Sequence, residues 1–427
     1  MIELEARLEE LRSLGLDQSV RLVSGPQGPH VLLDGRPVLL LCSSNYLGLA
    51  DHPRVREAAA EAAMRWGVGA GGSRLVCGTM TIHRRLEERL AQFMGRESAL
   101  LFGSGYLAGA GTVAALARPG DVVFCDELSH PSLIDGGRLS GAEVFVYDHC
   151  DVEHLAWGLT EAEGRGALIV TDSVFSVDGQ VAPLAEIVEL GQRSGVRLLV
   201  DEAHAVGVLG PEGRGALAEA GLADQVDVII GSMGNALGSY GAFAACEKTM
   251  ARHLMTAAHT FGLSAAPAPP AVAAALAALD LVAPRRLARL TENAAALRRE
   301  LELQGFDVGD SQTQIVAPAI TEAALAKRIC EAAVRQGVFA GAVGPSTVPA
   351  TDPRLRLTVM ATHRPPELRA AARTLGQAAR AAGISQRLPP PLVGPANAGR
   401  AGGRSERATA PFDFEAPEAP EPARRAA

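Results

Sequence analysis

An acid and an imidazole stand close together in Asp201-Glu202-Ala203-His204, directly after the apolar run RLLV. A carboxylate at the C-terminal end of a parallel strand lies where open α/β sheets place their ligands. There a buried Asp can pair with a protonated ring nitrogen of a planar cofactor and keep that ring electron-poor. The same residues also suit an ordinary strand-end helix cap, so the run alone decides little. Asp126-Glu127-Leu128-Ser129-His130 repeats the arrangement after VVFC, and its imidazole could stack on a flat ring or serve as a structural residue. Gly103-Ser104-Gly105-Tyr106 follows the apolar run ALLF and precedes an Ala/Gly-rich helix. Backbone N–H groups at a helix N-terminus bind phosphate, and glycines let it approach closely. A plain strand-to-helix turn has the same composition. Gly67-Val68-Gly69-Ala70-Gly71-Gly72-Ser73-Arg74 puts four glycines into six positions, with Gly78, Thr79, His83 and Glu87 behind them. That is more than a linker between two helices requires.

These residues need a frame. Residues 1–20 read as a helix with Leu4, Leu8, Leu11 and Leu14 on one face. Residues 29–42 read as a hairpin turning at Asp34-Gly35. From 45 to about 270, apolar runs alternate with helical patterns. ALLF (99–102), VVFC (122–125), VFVY (144–147), ALIVT (167–171), RLLVD (197–201), DVIIG (227–231) and GAFAAC (241–246) suit buried strands of a mostly parallel sheet. Residues 271–305 predict long helices, and 306–385 a smaller mixed region in which SQTQIVAPAI and RLRLTVM are strands. The expected division is an N-terminal helix and hairpin (1–44), a large α/β domain (45–275), a small C-terminal α/β domain (276–386) and a disordered tail (387–427). The tail is rich in Pro, Ala, Gly and charge and cannot bury enough apolar surface to offset its ordering entropy.

Composition narrows the function classes. The 427 residues are 48% hydrophobic and 21% charged, with a net charge of −8, which speaks against a nucleic-acid surface or a membrane patch. No apolar run approaches the roughly 20 residues of a spanning helix, and the acidic N-terminus is unlike a signal peptide. The six cysteines lack paired spacing and read as buried, reduced thiols of a cytoplasmic protein, with no metal site.

Taken together, SSNYLGL (43–49), GAGGSRLVCGTMTIHRRLE (69–87), FGSGY (102–106), DELSHPSLIDG (126–136), DSVFSVDG (172–179), DEAHAVGVLG (201–210), GSMGNALGSYG (231–241) and PRLRLTVMATH (353–363) resemble the α-oxoamine synthases, in order and at family spacing. The likeness covers roughly 20–380. It implies the fold-type-I α/β fold of pyridoxal-phosphate-dependent transferases, with a mostly parallel seven-stranded sheet. It also implies a dimer and decarboxylative condensation of an amino acid with an acyl-CoA or acyl-ACP. HRRLEERLAQFMGRESALLFGSGYLAG is most similar to the branch that joins L-alanine to a pimeloyl thioester in biotin synthesis. By this resemblance Asp201 pairs with the pyridine nitrogen and His130 stacks on the ring. His204 and Ser176 reach the phenolic oxygen or the substrate. Gly105, Tyr106 and Ser232 hold the phosphate, with Ser264 reaching that of a neighbouring subunit. Arg356 grips the amino-acid carboxylate, and Asn45 orients the substrate or simply closes a turn.

One position departs from the family. Gly231-Ser232-Met233-Gly234-Asn235-Ala236-Leu237-Gly238 carries Asn235 where the resemblance expects the Schiff-base lysine. A lysine amine is nucleophile and base once its pKa is lowered; an amide is neither. The only lysines, Lys248 and Lys327, are expected to be solvated. Three readings stand open: an engineered or trapped form of an active enzyme, a lysine-less subunit paired with a lysine-bearing homologue, and a cofactor-binding or scaffold relic. An aminotransferase of the same fold fits less well, because it needs the lysine and leaves the glycine-rich run unexplained.

Overall fold

The computed structural model describes residues 3–13, 20–343 and 353–383. Leu14 and the 387–427 tail therefore lie outside the described residues. Helix α1 (Leu4–Ser13) buries no residue, and residues 14–19 of the expected helix lie outside the described residues. The strands β1 (Val23–Ser24), β2 (His30–Leu33) and β3 (Arg36–Leu40) follow. The β2–β3 hairpin turns at Asp34 and Gly35, both at positive φ (49° and 79°), as a two-residue primed turn requires.

Next come α2 (Pro53–Trp66), α3 (Thr81–Met94), β4 (Ser98–Phe102), α4 (Gly105–Leu116), β5 (Val122–Asp126), α5 (Pro131–Ser140), β6 (Glu143–Tyr147), α6 (Val152–Glu161), β7 (Ala167–Asp172), α7 (Leu184–Ser194), β8 (Arg197–Asp201), α8 (Ala216–Ala220), β9 (Val228–Ser232) and β10 (Ala242–Cys246). Each of the seven apolar runs becomes a strand of one sheet, ordered β4-β10-β9-β8-β7-β5-β6. Only β10 runs against its neighbours. The crossover helices cover both faces, which is why the strands read as continuous apolar runs rather than alternating ones. Phe102, Phe124, Phe243 and Tyr147 are among the largest side chains fully buried there.

The chain continues with α9 (Lys248–Ala257), α10 (His259–Gly262), α11 (Pro269–Leu279), α12 (Pro284–Leu303), β11 (Ile315–Val316), α13 (Ala323–Arg335), β12 (Val338–Phe339), β13 (Gly341–Val343), β14 (Arg354–Thr358) and α14 (Pro365–Ala381). SQTQIVAPAI yields only the two residues of β11, a correction to the longer strand expected. Helices α2, α5, α11, α12 and α14 open on proline, whose fixed φ and missing N–H suit a first turn. Strand β12 pairs in parallel with β3, so the N-terminal hairpin is completed from the C-terminal region. No helix among the described residues is long and apolar enough to cross a membrane.

Candidate active site

Strand ends build the site. Asp172 closes β7 and Asp201 closes β8, and the two face each other in register. Both carboxylates are buried. Asp201 Oδ1 accepts the Ala203 N–H at 2.8 Å, and its other oxygen has no hydrogen-bond partner among the described residues. Burial raises the Asp201 carboxyl, while the nearby His130 pulls the other way. Burial and the charge of Asp201 hold Asp172 well above the carboxylate range. His130 caps α5, its N–H donating to Asp172 Oδ2 at 2.9 Å. Its ring meets the Tyr106 ring edge-on, with centroids 6.5 Å apart.

The 201–204 run is held from two further sides. Tyr46 Oη lies 2.7 Å from His204 Nδ1. Asn235, in the loop leaving β9, donates its amide to Ala203 O at 2.7 Å, which sets position 235 against this run. Burial, helped by the charge of Arg356, lowers His204 to about 3, so its ring is neutral at pH 7. Strand β14 brings Arg356 Nε within 2.5 Å of Ser176 O, a contact with the Ser176 backbone rather than its hydroxyl.

At the other end of the site, Ser104 caps α4 by accepting the Leu107 N–H at 3.2 Å. Gly105 opens that helix, and a Cβ added there would meet nothing within 4 Å. Tyr106 donates to Asp135 at 2.6 Å, and Ser232 Oγ accepts from Gly234 N at 3.0 Å. Ser264 donates to Thr260 O, and Thr260 in turn donates to Leu107 O at 2.8 Å, tying this segment to α4. Asn45 is fully engaged by backbone, donating to Gln27 O and accepting from Leu49 and Ala50 N–H groups. In this structure its amide closes a turn. Lys248 and Lys327 are exposed, as expected.

The glycine-rich run is tied into a frame. Arg74 and Glu87 pair at 2.7 Å with side chains only 4% exposed. Arg74 also donates to Thr79 Oγ1 and lies over the Phe261 ring. His83 bridges Met80 N and Pro267 O. Gly78 is required for close approach, since a Cβ there would sit 2.1 Å from Gly72 O.

Sequence reasoning left three features unassigned. Tyr46 and Asp172 sit inside motifs already noted, Asp172 at the end of an apolar strand just like Asp201. The third is His149, clamped between Asp126 (2.8 Å) and Asp178 (3.4 Å) with Phe175 edge-on. Burial alone would lower this imidazole, but the carboxylates prevail and raise it to about 12. Cys150 Sγ lies 3.6 Å from the same ring, so Asp126, His149 and Cys150 converge. Both ring nitrogens face carboxylates, which leaves neither lone pair for a metal. The cysteine expectation needs correction at three positions: Cys77 on the glycine-rich loop is exposed, and Cys42 and Cys150 are half-buried, while Cys125, Cys246 and Cys330 are buried.

The pattern of the class I and II aminotransferases matches residues 36–375. A protein named 8-amino-7-oxononanoate synthase from Citrifermentans bemidjiense is 45% identical over 88% of this chain and 98% of its own. One of the same name from Geobacter sulfurreducens is 46% identical, with the same coverage. Sphingomonas wittichii serine palmitoyltransferase superposes with a TM-score of 0.84 at 30% identity, over 90% of this chain and 98% of that one. The buried strand-end carboxylate and imidazole thus sit in a chain that belongs to the class I and II aminotransferase family, with the fold-type-I α/β fold of pyridoxal-phosphate-dependent transferases.

Proposed function

We propose that this chain binds pyridoxal phosphate and is built for decarboxylative condensation of an amino acid with an acyl-CoA or acyl-ACP, with Asn235 impairing turnover. The favoured pair is L-alanine with a pimeloyl thioester, as in 8-amino-7-oxononanoate synthesis. The relatives of that name support the reaction class, and the residues present fit the cofactor. Asp201 is a buried carboxylate with one oxygen unclaimed, suited to a protonated ring nitrogen. The α4 N-terminus is open at Gly105. When bound, the pyridoxal ring supplies an electron sink for negative charge at the substrate Cα.

In this reading His130 covers the ring face, and Gly105, Tyr106, Ser232 and Ser264 surround the phosphate. His204 and Ser176 address the ring oxygen or the substrate. Arg356 holds the substrate carboxylate, and Asn45 holds its turn. The proposed compartment is the cytoplasm.

One observation carries the impairment: the position 235 side chain is an amide already donating to Ala203 O. The test is thiol release from a panel of acyl-CoAs and acyl-ACPs with alanine, glycine or serine, for the chain as it stands and its Asn235→Lys form. Release by the lysine form alone is expected, fastest with alanine and a pimeloyl thioester. Failure of both forms sinks the reading.

A second reading, a lysine-less subunit of a heterodimer, draws support from an exposed apolar face. Leu75, Val76 and Leu263 are 54%, 82% and 77% exposed. They lie on segments joined by the Ser73–Ala265 bridge. A second subunit would cover such a face, whether an identical copy or a lysine-bearing homologue. Co-purification of a lysine-bearing homologue selects this reading, and a homodimer without one removes it.

A further inference from the structure

Each imidazole of the site has one ring nitrogen already committed. The Ser132 backbone N–H donates to His130 Nδ1 at 3.3 Å, and Ser132 Oγ lies 2.7 Å from the same nitrogen. A peptide N–H can only donate, so His130 Nδ1 presents a lone pair. In the neutral ring the proton then sits on Nε2. His204 is fixed by a different residue to the same end. Tyr46 is wholly buried, and His204 Nδ1 is the only partner of its hydroxyl among the described residues. A buried hydroxyl proton without an acceptor costs about 1–3 kcal/mol. The hydroxyl therefore donates, Nδ1 accepts, and Nε2 carries the proton on the far edge of the ring. No described residue accepts from either Nε2. Desolvation and the nearby Arg356 charge keep His204 neutral.

We infer that Tyr46 and Ser132 are positioning residues that lock His204 and His130 as Nε2–H donors, so that neither imidazole offers the site a base. The consequence for catalysis rests on the proposed function. Each Nε2–H serves an acceptor, such as a ring oxygen or a substrate oxygen. The Cα–H bond of a bound amino acid, in contrast, finds no uncommitted basic nitrogen on His130 or His204, and the Asn235 amide is not a base. In the chain as it stands the proton stays on Cα. In Asn235→Lys the amine would be the group able to take this proton, becoming an ammonium, while a bound pyridoxal ring would supply the sink for the C–H electron pair. No rearrangement of the histidines is needed.

The tautomers are read directly by two-bond proton–nitrogen correlation spectra of the full chain labelled with ¹⁵N-histidine. The two rings are identified by the signals missing in His204→Gln and His130→Gln. Both are expected as Nε2–H. Tyr46→Phe keeps the buried ring and removes only the hydroxyl. It is expected to release His204 into a mixture of tautomers while leaving His130 and the other eight of the ten histidines unchanged, which also reports an intact fold. An Nδ1–H form at either ring in the unsubstituted chain overturns the inference.

A second experiment follows deuterium entry at Cα of L-alanine in D₂O with pyridoxal phosphate. The chain as it stands is expected to match the free cofactor, and Asn235→Lys to exceed it at least tenfold. Exchange by the unsubstituted chain that vanishes in His204→Gln also overturns the inference. Failure of pyridoxal phosphate to bind, seen as no change in its absorbance or circular dichroism, sinks the proposed function instead. The tautomer spectra of the bare chain still decide the inference.

Discussion

At position 235 an amine and an amide differ in chemistry more than in size. Asn235→Lys is expected to gain one borohydride-reducible pyridoxal phosphate adduct per chain by mass spectrometry, and Asn235→Gln none. In the Asn235→Lys background, Arg356→Ala should raise the KM for the amino acid roughly 10- to 100-fold, the weight of one or two charge-assisted hydrogen bonds. An equal fall in kcat with unchanged KM would instead assign Arg356 to holding the Ser176 loop, through the contact it makes with Ser176 O. Asp201, His130 and His204 were legible because each follows an apolar strand run at a distance a strand end dictates. Tyr46 was not, because its partner lies 158 residues further along and nothing local marks the pairing. Asn45 could be read either way from sequence, and its three backbone partners identify the turn it closes.

Among the elements, the glycine-rich loop and α3 are stapled by the Arg74–Glu87 pair. Removing one partner strands a buried charge, so Glu87→Ala should cost about 3–5 kcal/mol in urea unfolding. Replacing both by apolar residues, Arg74→Met with Glu87→Leu, should cost much less. The run looked too rich in glycine for a linker, and it is a frame. What the sequence could not reveal was which atoms its Arg, Thr, His and Glu would find.

His363 is a second staple, accepting the Met360 N–H at 2.9 Å and lying 3.1 Å from Leu40 O. Burial lowers its pKa to about 4, below the 6.5 of an unfolded histidine. Between these values the unfolded chain binds the extra proton, so this group's share of stability is lost as pH falls from 6.5 towards 4. The stability gap between the protein and His363→Gln should therefore narrow over that window, as read from urea midpoints at several pH values. A gap independent of pH would show that the ring is not held neutral. The seven long strands were legible as apolar runs buried on both faces. The shortness of β11 and the existence of β12 were not, because so short a run has no period of its own and exists only through its partner strand.

Across the whole molecule, the apolar face at Leu75, Val76 and Leu263 sits on the same loop system that carries the Arg74 staple. Val76→Asp is expected to weaken the proposed dimer in sedimentation velocity, with little change in the monomer's fold because the side chain is already 82% exposed. An unaltered dimer would place the subunit contact elsewhere. The fold class could be read from the alternation of strands and helices, but the joining of the two chain ends could not. Leu39 donates to Gly337 O and Leu41 to Phe339 O, both at 2.8 Å. On the ribosome the open edge of β3 must therefore wait, unpaired, until nearly the whole described chain has emerged. A stalled nascent chain ending before residue 337 should be cut by protease around residues 36–41, and one released past that point should resist.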